Sequence, residues 1–471
     1  MTFLVAMNPS RPGAGGSGTG KNRGRGRLMW AGALSSALVA FALVAPAGPA
    51  RTDVAPQGPA GPVLPAASTT DPTGTSPEPA VVAQLLDAMF ADGSVSNSLG
   101  ASVFDPATGN VLYERDSLTP RTPASVVKIL TAVSVLDALG PLARITTNVH
   151  YDPASMTLTL VGAGDPTLAT TQGEGSSLAA LADGVLAASN GPGANAAVQL
   201  RYDASLFGGP VIAEGWSPVY PATGVVAPPS ALSVDGSRAP DGVTFVADPA
   251  LTAAAAFAEQ LQQRGLQVDA PQQGVAAGAA VVASTSSVPL ATMTQRMLTD
   301  SDNTMAEVLG HLAGATRSGV GSFATSAQAV DAALSDLDIS ASDVTLYDAS
   351  GLSTVNSVPA RTFTQVLSSM VRNPAMWWAW PIPSGLPVAG VTGTLANRFF
   401  TADTVAGAGV VRAKTGTLTG VSSLVGTVVD RDGRLLVFAF IADGAGDIDQ
   451  SRSVLDQAAT VLAQCGCRVS S

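Results

Sequence analysis

Two lysines constrain this chain more than any other feature of its sequence. Its 471 residues contain three lysines, and beyond the N-terminal segment 1–47 only Lys128 and Lys414 remain. Lys128 closes an S-x-x-K motif that starts at Ser125, Lys414 opens a K-T-G-T motif, and Ser301-Asp302-Asn303 stands between them. These motifs belong together in one kind of serine-dependent site. The fold must therefore bring three distant segments to one place.

Lysine has a chemical reason to be kept at these two positions. A guanidinium cannot be deprotonated in a protein, whereas a lysine amine can become a base. Residues i and i+3 share one face of a helix, so the Lys128 amine can reach the Ser125 hydroxyl. An ordinary lysine pKa of about 10.4 must fall for this role, through burial or a second cation. We predict that Lys128 works unprotonated and that Lys414 keeps its proton and lowers the Lys128 pKa.

The rest of an acyl-transfer site can also be assigned from the motifs. Ser125 at a helix N-terminus offers a hydroxyl nucleophile and its own backbone N–H for an oxyanion hole, and the strand that carries Thr417 can supply a second N–H. The Ser301 hydroxyl and the Asn303 amide suit proton relay and the binding of a substrate carbonyl. Each motif alone also fits a helix start, a capping turn or a strand end, but their joint order favours a site.

Composition and charge exclude several other functions. Segment 1–47 has five basic and no acidic residues, an apolar run at 28–44 and an Ala45-Pro46-Ala47 site, which is typical of a signal peptide or signal anchor. Residues 48–80 are rich in Pro and Ala and predict a disordered linker. The remainder carries 19 basic and 35 acidic residues, a formal charge of −16, which argues against nucleic acid as a partner. An extracytoplasmic position follows, with a membrane tether through residues 28–44 as one alternative.

Few residues could hold a metal. The only histidines are His150 and His311, which argues against a histidine triad or a histidine-rich metal centre. The only cysteines, Cys465 and Cys467, are one residue apart, too close for an unstrained disulfide, and we interpret them as peripheral. No metal or cofactor is predicted.

Hydrophobic periodicity predicts an α+β fold in which an antiparallel sheet is flanked by helices. Residues 99–104 and 111–114 read as a hairpin, and the C-terminal part holds three consecutive strands. Between them, segment 145–284 has many Gly and Pro residues and interrupts the first unit. The predicted helices are 81–90, 124–139, 251–264, 290–298, 305–312 and 453–462, and the other predicted strands are 158–161, 198–202, 242–246, 410–414, 422–429 and 435–441.

Further motifs resemble one family, the DD-carboxypeptidase/DD-endopeptidase branch of low-molecular-mass penicillin-binding proteins. The resemblance runs from about residue 85 to the C-terminal helix. Beyond the three lysine and serine motifs, it is carried by Gly164-Asp165-Pro166-Thr167-Leu168, Gly215-Trp216, Asp348-Ala349-Ser350-Gly351-Leu352-Ser353, Leu386-Pro387-Val388-Ala389-Gly390 and Gly393-Thr394-Leu395.

The resemblance implies a serine-type D-Ala-D-Ala carboxypeptidase, and possible DD-endopeptidase, that acts on peptidoglycan stem peptides and is acylated by β-lactam antibiotics. It implies a β-lactamase/transpeptidase-like catalytic domain formed by 81–145 and 285–471, with an accessory domain inserted at 146–284. Because Ser125 and Ser301 are only 176 positions apart, a reduced or missing accessory subdomain is expected. The implied catalytic residues are Ser125, Lys128, Ser301, Asn303 and Lys414, and the implied substrate-binding residues are Thr415, Gly416 and Thr417.

Two other functions share these motifs. A class A β-lactamase would need a deacylating glutamate in an E-x-x-L-N loop, and residues 304–414 contain none. A non-catalytic module that only binds wall peptides would have lost the nucleophile or the base, and both are present.

Several conspicuous residues have structural interpretations. Glu307 is expected to support its helix, His311 to pack, and the cluster Trp377, Trp378 and Trp380 to pack beside prolines. Residues 348–353 fit either a site lining or a glycine-containing turn.

Overall fold

The computed structural model describes residues 75–95 and 98–466, which belong to one compact unit that spans Thr69–Ser471. The predicted leader, most of the linker and Cys467 lie outside the described residues. Within those two ranges, no helix has both the length and the apolar character needed to cross a membrane.

Ten helices and thirteen strands, numbered in chain order, make up the described part. The helices are α1 (Pro79–Phe90), α2 (Lys128–Leu139), α3 (Leu178–Ala187), α4 (Pro249–Gln263), α5 (Leu290–Asp300), α6 (Asn303–Ser318), α7 (Phe323–Asp336), α8 (Ala360–Arg372), α9 (Pro381–Gly385) and α10 (Ile448–Gln464). The strands are β1 (Leu99–Asp105), β2 (Asn110–Arg115), β3 (Pro120–Arg121), β4 (Thr146–Asp152), β5 (Thr157–Val161), β6 (Ala197–Asp203), β7 (Gln267–Val268), β8 (Gln272–Gln273), β9 (Ala280–Ser286), β10 (Val358–Pro359), β11 (Arg412–Leu418), β12 (Val421–Val429) and β13 (Leu435–Asp443).

A five-stranded antiparallel sheet of order β11-β12-β13-β1-β2 organises the catalytic part. Alternate residues of its central strand β13 point to opposite faces. Val437, Ala439 and Ile441 join a core that includes α2 and α5 to α8, whereas Phe438 and Phe440 join a core with α1 and α10. The sheet is thus covered by helices on both faces, as the sequence predicted.

The segment between the first two motifs folds around a second sheet. Its strands run in the order β7-β6-β5-β4-β9, with β8 beside β6, and α3 and α4 pack on them around a separate apolar core. This segment therefore has a sheet and an apolar core of its own, which does not fit a missing accessory subdomain, and a reduced subdomain stays a prediction. The prediction of a strand at 242–246 is wrong, because the structure has only an isolated β-bridge between Phe245 and Arg238 there. We propose the domain limits 146–284 for the insert and 81–145 plus 285–471 for the catalytic domain.

Residues 216–226 of the insert pack against the proposed catalytic domain. Trp216 and Val226 are buried in a small cluster with Phe323 of α7 and Leu352. The same segment donates the Trp216 indole N–H to Asp348 at 2.7 Å. The insert therefore contributes directly to the region where the motifs meet.

Candidate active site

Ser125 lies in a 3₁₀ turn, Ala124–Val127, that leads directly into α2. The preceding Ala124 has a φ of 52°, in the left-handed region that a residue with a Cβ rarely occupies. Such strain persists only where surrounding contacts hold it, and it clusters at functional sites. The turn places Ser125 and Lys128 on one side, with Oγ and Nζ 3.1 Å apart.

Lys128 is fully buried, and its amine has two further partners. Nζ donates to Asn303 Oδ1 at 2.8 Å and to the Ser350 carbonyl oxygen at 2.7 Å. Both partners can only accept, so they match the two N–H groups of a neutral amine. The remaining position, the lone pair of the neutral form, then faces the Ser125 hydroxyl.

Burial lowers the pKa of Lys128 from its ordinary value to about 8, because the charged amine loses its water. The negative charges of Asp348, Glu307 and Asp302 oppose this shift. An appreciable fraction of the amine is thus unprotonated near neutral pH, which a base requires.

The loop 348–353 packs against the turn that carries Ser125. Gly351 has a φ of 81°, and a Cβ at this position would lie 2.1 Å from the Ala124 carbonyl oxygen and 2.9 Å from the Ser125 nitrogen. The loop therefore approaches the Ser125 backbone too closely for a side chain at position 351. Both interpretations left open by the sequence agree with this geometry: the turn needs its glycine, and the Ser350 carbonyl oxygen accepts from Lys128 Nζ.

Two buried carboxylates hold this loop in place. Glu307 of α6 accepts the Ser350 N–H at 2.8 Å and the Ala349 N–H at 3.2 Å. Asp348 accepts the N–H groups of Gly351 at 2.9 Å and Ser353 at 2.7 Å. Burial, reinforced by the charge of Asp348, raises the pKa of Glu307 to about 8. The Glu307 carboxylate thus supports the loop 348–353, whereas the expected support of its own helix stays a prediction.

The S-D-N motif spans the junction of α5 and α6. Ser301 ends α5 in the left-handed conformation, with a φ of 58°, and the Asp302 carboxylate caps α6 by accepting the Met305 N–H at 2.9 Å. This reversal directs Asn303 towards Lys128. Asn303 Nδ2 donates to the Val225 carbonyl oxygen at 2.9 Å, which leaves Oδ1 for the lysine. A backbone group of the insert thereby sets the orientation of a motif side chain.

The K-T-G-T motif lies on β11, the edge strand of the central sheet, beside the turn that carries Ser125. Gly416 allows this approach, because a Cβ there would lie 2.7 Å from the Pro123 carbonyl oxygen. Gly416 is buried against that turn, whereas Thr415 and Thr417 line the open cleft. Thr415 also donates its hydroxyl to Thr394 Oγ1 at 2.8 Å.

Lys414 is fully buried and donates to Ser301 Oγ at 2.8 Å and to the Thr415 carbonyl oxygen at 2.9 Å. Burial and the charge of Lys128 both lower the pKa of Lys414. This corrects the expectation that Lys414 simply keeps its proton and lowers the Lys128 pKa. Both amines are buried, and burial is the dominant cause of the lowered pKa of each, whereas the charge of Lys128 adds to the shift of Lys414 only.

A cleft of about 380 Å³ opens in front of these groups. Besides residues of the three motifs, it is lined by Thr394, Arg398 and Arg452, which sequence reasoning did not select. Thr394 belongs to a quoted family motif, so it could have been found. Arg398 and Arg452 lie in segments without a recognised motif, and the packing of α10 against β12 and β13 brings Arg452 to the cleft.

Other conspicuous residues lie away from the cleft. His311 is buried against Phe207 and Phe323, as its packing interpretation predicted, and burial lowers its pKa to about 4. Trp378 packs on the core, but Trp377 is 64% exposed and Trp380 is 44% exposed, so the packing interpretation is wrong for those two.

Cys465 is buried at the end of α10 and is disulfide-bonded, contrary to its expected peripheral role. Within residues 75–95 and 98–466, no group of three or more His, Cys, Asp or Glu side chains is arranged to hold a metal ion.

A serine bonded to a buried lysine one helical turn later, next to an edge strand with K-T-G-T, defines a serine acyl-transfer enzyme of the penicillin-binding class. The model of the D-Ala-D-Ala carboxypeptidase 3 (S13) family matches residues 82–245 and 240–465, and the chain belongs to that family. The family prediction made from the motifs is thus confirmed, and the chain is a D-Ala-D-Ala carboxypeptidase of the serine type.

Relatives from actinobacteria extend along most of the chain. A carboxypeptidase of Mycobacterium tuberculosis is 37% identical over 90% of this chain and 90% of its own length. The carboxypeptidase DacB of Mycolicibacterium smegmatis is 35% identical over 78% of this chain and 80% of its own length. A D-alanyl-D-alanine carboxypeptidase of an Actinomadura species is 29% identical over 76% of this chain and 80% of its own length.

The fold is also similar to a solved structure. Penicillin-binding protein 4 of Haemophilus influenzae superposes with a TM-score of 0.67 at 20% identity, covering 80% of this chain and 98% of that one. This similarity confirms the α+β, transpeptidase-like fold class.

Proposed function

We propose that Ser125 is the nucleophile and Lys128 the base of this carboxypeptidase. The observation that carries the proposal is the set of partners around Lys128 Nζ. Two oxygens that can only accept, from Asn303 and Ser350, occupy its N–H groups at 2.8 and 2.7 Å. The third neighbour, Ser125 Oγ at 3.1 Å, is the one that can give up a proton.

In the acylation step, Lys128 Nζ takes the Ser125 proton while Oγ bonds to the carbonyl carbon of the penultimate D-Ala. The bond to the nitrogen of the terminal D-Ala breaks, and that nitrogen takes a proton. Ser301, bonded to Lys414, can relay it. Water then attacks the ester, which releases the shortened peptide and restores Ser125.

The oxyanion of this step needs donors that are in place beforehand. We assign the Ser125 N–H and the N–H of Thr417, on the edge strand beside the 3₁₀ turn. The hydroxyls of Thr415 and Thr417 line the same cleft and are assigned to the substrate. Gly416 permits the strand to approach and makes no side-chain contact with substrate.

The proposed substrates are peptidoglycan stem peptides that end in D-Ala-D-Ala, and D-amino-acid cross-links as a possible second class. Support comes from the names of the relatives, one of which is a D-alanyl-D-alanine carboxypeptidase. β-Lactams are proposed to acylate Ser125, since the similar Haemophilus protein is a penicillin-binding protein. Such substrates place the protein at the cell envelope. Export by the basic and apolar segment 1–47, cleaved or kept as a tether, agrees with that position.

Labelling with a fluorescent penicillin tests the nucleophile. The wild-type protein is expected to carry one covalent label, mapped by mass spectrometry to the peptide that contains Ser125, and Ser125→Ala is expected to carry none. Ser134→Ala is the matched control, because Ser134 lies on the same helix and donates its hydroxyl to the Thr131 carbonyl oxygen. Unlabelled folded wild type, or equal labelling of Ser125→Ala, would refute the assignment.

Digestion of defined muropeptides separates the two activities. A mass loss of one D-Ala from a monomeric pentapeptide shows carboxypeptidase activity, and conversion of cross-linked dimers to monomers shows endopeptidase activity.

A further inference from the structure

One face of the C-terminal helix borders the cleft. Asp449, Arg452 and Asp456 of α10 are spaced three and four positions apart and so share one side of the helix. Arg452 lines the same cleft as Ser125, and its Nη2 donates to Thr417 Oγ1 at 3.5 Å. Nothing in the motif pattern assigns this residue a role.

Besides Lys128, three basic side chains lie in or beside the cleft, and they differ in their hydrogen-bond partners. Lys414 directs its amine to Ser301 and to a backbone carbonyl. Arg398 is held by both oxygens of the buried Asp456, at 3.0 and 2.6 Å. Moving either group towards a ligand would leave a buried partner unpaired.

Arg452, in contrast, pairs with an exposed carboxylate. Its side chain is 35% exposed, and it donates Nη1 at 2.7 Å to Asp449, whose side chain is 83% exposed. An ion pair with so exposed a carboxylate is worth little, because water solvates both partners. A guanidinium has five N–H groups in a planar fork, so an anion can bind without the loss of the Asp449 contact.

We propose that Arg452 binds the terminal carboxylate of the substrate and selects for peptides that carry one. This proposal rests on the function proposed above. Thr415 and Thr417 point to the same side of β11, as residues two apart on a strand do, and both line the cleft. A carboxylate bound to Arg452 would lie next to the Thr417 hydroxyl. The guanidinium can donate two parallel N–H groups to its two oxygens.

The chemistry favours arginine for this task. A guanidinium stays charged at every pH at which the enzyme works. Burial and the charge of Lys128 instead lower the pKa of Lys414, which disfavours its positive charge. Arg452 therefore provides an attraction for the substrate anion that does not depend on the protonation of the two lysines.

The test compares two substrates that differ only at the end Arg452 is proposed to bind. These are an acyl-D-Ala-D-Ala peptide with a free carboxylate and the same peptide as a C-terminal carboxamide. Arg452→Gln is expected to lower kcat/KM for the carboxylate about 10- to 100-fold, the usual range for a charge-assisted hydrogen bond, and to leave the carboxamide within about twofold. Arg452→Lys, which keeps the charge but not the fork, should fall between the two.

Arg264→Gln is the matched control. Arg264 also pairs with an exposed carboxylate, Asp183, but lies in the insert, so its loss should change neither substrate. An equal fall for both substrates in Arg452→Gln, or no fall for either, would overturn the proposal while wild-type activity stands. A wild-type enzyme that cleaves neither substrate and takes no penicillin label would instead overturn the proposed function itself.

Discussion

The proposed role of Lys128 as the base predicts how the rate of acylation depends on pH. With a pKa of about 8, about 1% of the Lys128 amine is unprotonated at pH 6 and about half at pH 8. If the neutral amine is the base, the second-order rate constant for acylation by a penicillin should rise about 50-fold between these values and level off above them. The rate should rise with pH because the proposed active form is the neutral amine. Burial favours this neutral form, so the rise falls at a lower pH than the ordinary lysine pKa would give.

The measurement is a stopped-flow series with a fluorescent penicillin from pH 5.5 to 9.5. Lys128→Arg keeps a positive charge but cannot give up its proton, so acylation should fall by a factor of about 10² to 10⁴. Near-normal acylation of the folded Lys128→Arg protein would refute the assigned base. A rate that does not change between pH 6 and 8 would refute the pKa argument.

Glu307 needs a separate control, because its pKa is also raised to about 8. If the rise of the acylation rate with pH came from the titration of Glu307, the rise would be absent in Glu307→Gln. If it reflects Lys128, it should remain and move to lower pH, because the Glu307 charge is one of the causes that raise the Lys128 pKa. Movement to higher pH would contradict this electrostatic reasoning.

Two further substitutions test the support of the site. Gly351→Ala should destabilise the protein by about 2–4 kcal/mol in urea unfolding and slow acylation, because its Cβ would lie 2.1 Å from a backbone oxygen. Gly140→Ala is the matched control, because Gly140 has a φ of 80° and no atom lies near its Cβ position; it should cost only about 1–2 kcal/mol and leave acylation unchanged. Equal losses of stability and acylation in the two glycine variants would refute the close-packing argument. Trp216→Phe removes a donor at 2.7 Å from the buried Asp348 and should cost about 1–3 kcal/mol with slower acylation. Trp377→Phe, which changes an exposed ring, should alter neither quantity, and equal losses in the two tryptophan variants would contradict the role given to the indole N–H.

Much of the fold was predictable because its signals are local. The β1–β2 hairpin, the strands β12 and β13 and the helices α1, α4 and α10 follow from periodicity and turn residues. The helix predicted at 124–139 is present as a 3₁₀ turn followed by α2, because the strained entry at Ala124 and the approach of Gly351 shape its first turn. The missed features depend on packing: the extent of the insert, the exposure of Trp377 and the short bridge at Phe245.

The sequence by itself determined the chemistry of this protein: which groups can react, their order along the chain and the family they define. Residue type and an i, i+3 spacing are enough to pair a serine with a potential base. They cannot show what surrounds that base.

Only the tertiary structure decided how the reactive groups are paired and charged. Lys128 meets Asn303 across 175 residues, and Lys414 meets Ser301 across 113. Burial lowers the pKa of both amines, and α10 brings Arg452 to the cleft. The physical reason is that desolvation and long-range hydrogen bonds depend on which distant segments pack together, and no local pattern records that.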